Sequence, residues 1–347
     1  MHVVTNQSVG RSARPLRQQL AHLFLFAIAS LLTLGILLWA ADRVSPWPGA
    51  LVARIFLVRS ARGSYHRLEN RIPTNLYDQR DQHYDASDPD AYLDVYSTAR
   101  YDGAPHPAPT LIWLHGGGWI SGDKNDIANY ARIVASHGMT VVTVNYPLAP
   151  ANLYPAPLLG LNTALNYMLA NADRLHIDAS HIFLAGNSSG AQIAAQMANI
   201  VTSVHEADAL RIRPALHADQ LKGVLLFGGV YDFNALDLHG IHGYFVRNAL
   251  RSYTGNRNFA KTPLFARASV LHHLTPSYPP TFIVAGDADP LASQSADLAR
   301  ELTRQGVLAD TLFYPSGNHL HHDFQFNLFT PSGDETLTRT LRFIDNH

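Results

Sequence analysis

Residues 181–190 read HIFLAGNSSG, and the stretch AQIAAQMANI follows at once. An apolar run, 182–185, meets Gly186-Asn187-Ser188-Ser189-Gly190. A buried strand that hands over to a helix through two glycines makes a tight bend, because glycine lets backbone and helix approach closely. Ser188 is then forced out at the tip with its hydroxyl exposed. The start of the following helix favours negative charge nearby. The two serines differ in what they offer, Ser188 an oxygen and Ser189 mainly its backbone N–H. A lone G-x-S-x-G is a weak signal, and its weight here comes from the flanking strand and helix.

The rest of the chain supplies that setting. AYLDVYST (91–98), TLIWLH (110–115), MTVVTVNY (139–146), KGVLLFGG (222–229), TFIVAG (281–286) and ADTLFYP (309–315) read as strands. Helical spacing falls over 125–138, 156–172, 189–202, 292–305 and about 334–345. Strands alternating with helices predict an α/β fold with a mostly parallel central sheet covered on both faces. Residues 203–221 and 233–270 interrupt the alternation and read as insertions forming a small helical cap. Their aromatics, such as Tyr231, Phe233, Tyr244 and Phe245, are candidates for pocket walls or for ordinary core. The polar, Asp-rich stretch 79–90 reads as a loop.

A second glycine motif stands at a strand end, His115-Gly116-Gly117-Gly118-Trp119. Glycines there let backbone N–H groups approach a substrate carbonyl without obstruction. The spacing matches neither a P-loop nor G-x-G-x-x-G. Together the two motifs resemble the α/β-hydrolase fold, and in particular the esterases similar to hormone-sensitive lipase. VNYPLAPANLYPAPL (144–158) is similar to the Y-R-L-A-P segment of that family, with Pro147 in place of the usual arginine. The chain also departs from the usual Asp and Ala around the serine, carrying Asn187 and Ser189. The resemblance covers roughly residues 90–346. It implies a serine carboxylesterase or lipase-like enzyme, with Ser188 as nucleophile, an oxyanion hole from Gly117, Gly118 and Ser189, and an oxyanion loop supported by His115, Gly116 and Trp119.

A serine hydroxyl is a poor nucleophile at neutral pH and needs a histidine, which in turn needs a carboxylate. The resemblance implies the order serine, acid, histidine. It points to Asp289 in Asp287-Ala288-Asp289-Pro290-Leu291 as the acid, with Asp287 as a loop cap or competitor. It points to His319 in SGNHLHHDF as the base, with His321 and His322 as competitors. Three histidines plus Asp323 are also a conceivable metal site, but they lack H-E-x-x-H spacing. No metal and no cofactor is expected. An amidase or peptidase with the same triad, and a non-catalytic binding protein on the same fold, are the alternatives.

Composition narrows the classes. The chain has 347 residues, 15% of them charged, a formal net charge of −1 and no cysteine. Disulfides, thiolate catalysis and zinc–thiolate sites are excluded, and the balance does not favour nucleic acid. Residues 20–41, LAHLFLFAIASLLTLGILLWAA, carry no formal charge with His22 neutral. About 20 apolar residues cross a bilayer core as a helix. Arg11, Arg14 and Arg17 precede the run and no acid occurs before Asp42, which favours a cytoplasmic N-terminus and an exported remainder. A cleaved signal peptide competes, although Trp39 stands where a processing site wants a small residue. The expected organisation is a cytoplasmic segment 1–19, a transmembrane anchor 20–41, a juxtamembrane or cap segment 42–80 and a catalytic domain 81–347. The expected partners are an ester substrate and the membrane; oligomeric state is unreadable.

Overall fold

A computed structural model describes residues 16–55, 68–98 and 108–347. The chain divides into two units, residues 1–48 and 49–347. In the first, helix α1 spans Leu16–Val44. Its segment Leu20–Leu38 is the one stretch among the described residues long and apolar enough to cross a membrane. At 1.5 Å per residue it measures about 28 Å, close to the thickness of a hydrocarbon core. A membrane anchor and a signal sequence both fit such a stretch near the N-terminus. Arg11 and Arg14 lie outside the described residues, as do 56–67 of the expected juxtamembrane segment.

The second unit begins within α2, residues 47–55. Its sheet has eight strands: β1 Leu76–His83, β2 Tyr92–Thr98, β3 Thr110–Leu114, β4 Thr140–Val144, β5 Ile182–Asn187, β6 Leu221–Phe227, β7 Thr281–Ala285 and β8 Ala309–Phe313. Their order is β1-β2-β4-β3-β5-β6-β7-β8. β2 runs antiparallel to both β1 and β4, and every other neighbouring pair is parallel. The helices after β3 are α3 Ala128–Ala135, α4 Ala156–Ala170, α5 Ala172–Leu175, α6 Ser189–Thr202, α7 Val204–Leu210, α8 Gly240–Thr254, α9 Pro263–Ala266, α10 Ala292–Arg304 and, following β8, α11 Pro331–Asp345.

Side chains alternate across each central strand, so an apolar run feeds both faces. Ile112, Leu114, Ile182 and Leu184 join the core with Leu161 of α4, Ile193 of α6 and Leu298 of α10. Leu111, Trp113, Phe183 and Ala185 join the opposite core with Tyr130 of α3 and Phe343 of α11. Each large side chain so buried contributes roughly 1.5–3 kcal/mol of transfer free energy. The insertions fold as helices, α7 within 203–221 and α8 and α9 within 233–270.

The stretch 79–90, expected as a loop, is instead partly strand. β1 pairs with β2 through a register shift between Gln79 and Gln82. Most β1 side chains are exposed, so an edge strand shows no apolar alternation, and its charges deter pairing with other chains. Two of its carboxylates tie it inward: Asp81 to Lys124 Nζ at 2.7 Å and Asp78 to Arg132 at 2.7 Å.

Register brings three strand ends level. Leu114 pairs with Gly186, and Asn187 with Phe227. The glycine motif after β3, the serine after β5 and the loop after β6 therefore emerge side by side, where open α/β sheets form their sites.

Candidate active site

Ser188 lies between β5 and α6 with φ 55° and ψ −120°. Positive φ is uncommon for a residue with a Cβ and stores strain. Packing enforces it. A Cβ on Gly190 would lie 2.1 Å from the Leu114 carbonyl oxygen, so only glycine lets α6 press on the end of β3. The Ser188 N–H donates to the Phe227 carbonyl at 2.9 Å and is thus spent on β6. Ser189 opens α6, and its N–H belongs to the first helical turn, which lacks an intrahelical acceptor.

The loop after β3 bends through positive φ at Gly117 (121°), Gly118 (61°) and Trp119 (62°). The indole of Trp119 pays for part of that bend: Nε1 donates to Gln192 Oε1 at 3.0 Å, and the ring stacks on Tyr253 of α8 at 5.0 Å. His115 is buried and stacks on Tyr146 at 4.3 Å. Its Nδ1–H donates to the Gly116 carbonyl at 2.7 Å, because a carbonyl can only accept. Burial lowers its pKa and keeps it neutral, as suits a loop support. Arg54 of α2 donates to the carbonyls of Ile120 and Ala149, the latter at 2.7 Å, and so fastens α2 onto the same loop.

The histidine loop corrects one expectation. The imidazole bonded to Asp289 is that of His322, not His319: Nδ1–H of His322 donates to Asp289 Oδ2 at 2.9 Å. The other Asp289 oxygen accepts from the Leu291 N–H at 2.8 Å. The His319 side chain is exposed, and its backbone N–H donates to Asp287 Oδ2 at 3.1 Å. Asp287 also accepts from the N–H groups of Gly317, Asn318 and Leu320, at 2.9, 2.9 and 2.8 Å. Those backbone bonds, Leu320 foremost, hold the Asp287 carboxyl down at about 2. Asp287 is therefore the loop cap, and residues 317–320 are used up wrapping it. All three imidazoles line the cavity, but it is His322 that bonds Asp289; His319 and His321 are exposed.

Burial alone would lower the His322 pKa. The negative charges of Asp323 and Asp289 outweigh it and raise the imidazole to about 9. No cluster of histidines and acids among the described residues could hold a metal ion.

Ser188, Gly117, Gly118, Ser189 and His322 line one cavity of about 880 Å³. Its apolar wall includes Val230, Leu236, Phe245, Val246 and Ala53. Of the four candidate aromatics, Phe245 lines it, Tyr231 and Phe233 are buried in the core, and Tyr244 is exposed. Two residues to which the sequence reading gave no part in the triad or the oxyanion hole, Asn187 and Asp323, also meet at the site. Asn187 accepts at Oδ1 from the Gly116 N–H at 3.1 Å and from Trp113 Nε1 at 3.3 Å. Its Nδ2 donates to Asp323 Oδ1 at 3.0 Å.

The profile of a family described as alpha/beta hydrolase fold matches residues 111–323. An acetyl esterase of Salmonella paratyphi B is 27% identical over 264 residues, 74% of this chain and 77% of the relative. Among solved structures, esterase B from Lactobacillus Rhamnosis is similar at TM-score 0.69 and 24% identity, covering 84% of this chain and 95% of that one. A hyperthermophilic esterase from Pyrobaculum calidifontis is similar at TM-score 0.67 and 20% identity, over 86% and 91%.

Proposed function

Since this chain belongs to the α/β-hydrolase fold family, we propose that it hydrolyses carboxylic esters through an acyl-enzyme on Ser188. His322 is the general base and Asp289 the carboxylate that orients it. The single observation behind this reading is the Asp289–His322 bond of 2.9 Å, facing the cavity that also holds the strained Ser188. The acetyl esterases among its relatives support an ester as substrate.

Ser188 Oγ attacks the ester carbonyl while Nε2 of His322 takes its proton, Nδ1–H being already given to Asp289. The N–H groups of Gly117, Gly118 and Ser189 hold the oxyanion; losing one such donor costs roughly 10²–10³ in rate. The imidazolium then protonates the leaving alcohol. Water, deprotonated by the same imidazole, releases the acid and regenerates Ser188. The apolar wall of Val230, Leu236, Phe245 and Val246 suits an apolar acyl chain.

A fluorophosphonate probe tests this reading. Mass spectrometry of the labelled full-length protein is expected to find the adduct on Ser188. An adduct elsewhere, or no adduct while p-nitrophenyl acetate is still turned over, counts against it.

We further read α1 as an uncleaved single-pass anchor with a cytoplasmic N-terminus and an exported catalytic domain. The support is the length of its apolar segment Leu20–Leu38 and the basic residues Arg11, Arg14 and Arg17 before that segment. The full-length protein is expected in the membrane pellet after alkaline carbonate extraction. A soluble mature chain starting near residue 42 would replace the anchor with a signal sequence.

A further inference from the structure

The mechanism above leaves Asp323, on the cavity wall beside His322, unused. Its Oδ1 accepts from Asn187 Nδ2 at 3.0 Å and from Gln325 Nε2 at 3.2 Å. Asn187 and Gln325 are both buried. The orientation of the Asn187 amide is fixed, because its oxygen already faces two donors, Gly116 N–H and Trp113 Nε1. Only its NH₂ remains for Asp323, and only an acceptor at 323 satisfies it. The bonds therefore run from the oxyanion loop, through the residue before Ser188, to the residue after His322.

We propose that Asp323 is a positioning residue for His322: it ties the histidine's loop to the serine turn through Asn187 and holds a second negative charge beside the imidazole. The proposal rests on the assignment of Ser188 and His322 made above.

Two effects follow. The first is geometric: Ser188 and His322 must meet within hydrogen-bond reach, and they belong to segments more than a hundred residues apart in sequence. The second is electrostatic. The charged and titratable groups around His322 are Asp289 on Nδ1, Asp323 next to it, Asp126, His319 and His321 on the cavity wall, and Asp287 beneath the loop backbone. Asp323 heads the influences that stabilise the imidazolium against burial. A general base works only when neutral, so kcat/KM should fall as pH drops below about 9. Removing the charge at 323 weakens the imidazolium and moves that fall to lower pH.

Two variants separate the effects, measured as kcat/KM and kcat for p-nitrophenyl acetate from pH 5 to 10. Asp323→Asn keeps an acceptor for Asn187 but removes the charge. Asp323→Gly removes both, and glycine suits the φ of 62° at this position, so the fold is kept. Both variants are expected to lower the acid-side midpoint by about one pH unit. Well below that midpoint, kcat/KM of Asp323→Asn then rises by about tenfold over the parent. Only Asp323→Gly is expected to lose plateau kcat, by about ten- to a hundredfold, as the loops fall out of register. An unmoved midpoint in Asp323→Asn, or an unchanged plateau in Asp323→Gly, overturns the proposal. Turnover that survives in Ser188→Ala would instead overturn the underlying assignment.

Discussion

Ser188→Ala is expected to lower kcat for p-nitrophenyl acetate by about 10⁵- to 10⁶-fold, the loss typical of removing a triad nucleophile. The argument is one of supply. The other serine in the turn, Ser189, is buried at 1% exposure and begins α6, so its hydroxyl cannot replace the missing oxygen. The oxyanion amides remain, and with them a residual acceleration over water. The fold should survive, because Ser188 anchors its turn with its backbone N–H on Phe227, a bond alanine keeps. The melting temperature is therefore expected to stay within about 2 °C of the parent, in keeping with a change that touches no core contact. Turnover within tenfold of the parent would place the chemistry elsewhere.

The second large effect separates two histidines. His322→Ala is expected to cost about 10⁴- to 10⁶-fold in kcat, since no other imidazole among the described residues is bonded to Asp289. The loss should exceed anything Asp289 could offset, for a carboxylate that keeps its Leu291 N–H has nothing left to orient. His319→Ala is expected to stay within about threefold of the parent. Its role is a backbone N–H given to Asp287, which alanine supplies equally, and the side chain it loses is exposed. Steady-state kinetics on the two variants, at a pH where the parent is at its plateau, decides the matter. The reverse order of losses would return the base to His319.

The contrast also marks how far the sequence could be read. Central strands were legible because a strand buried on both faces is apolar throughout, as in Leu111–Leu114 with Ile112 to one core and Trp113 to the other. The serine turn was legible because Gly186 and Gly190 answer a local steric demand. β1 was not, because an exposed edge strand carries no apolar signature and its pairing is non-local. The choice among His319, His321 and His322 depended on how much chain the Asp287 cap consumes. That number follows from four backbone bonds, and no side-chain pattern reports it. The Asn187–Asp323 contact spans 136 positions, and its two ends are ordinary polar residues when read singly. A hint lay in Asn187 itself, where similar esterases usually carry Asp: with Asp323 opposite, a second carboxylate would face the first.

The cap on the histidine loop and the imidazole it presents respond to acid at widely separated points. The Asp287 carboxyl stays charged down to about 2, whereas the His322 imidazole takes up its proton near 9. Between those limits, with His322 as the proposed base, one proton silences the chemistry while the backbone beneath it keeps its grip, so an idle site retains its shape and resumes work as soon as that proton leaves.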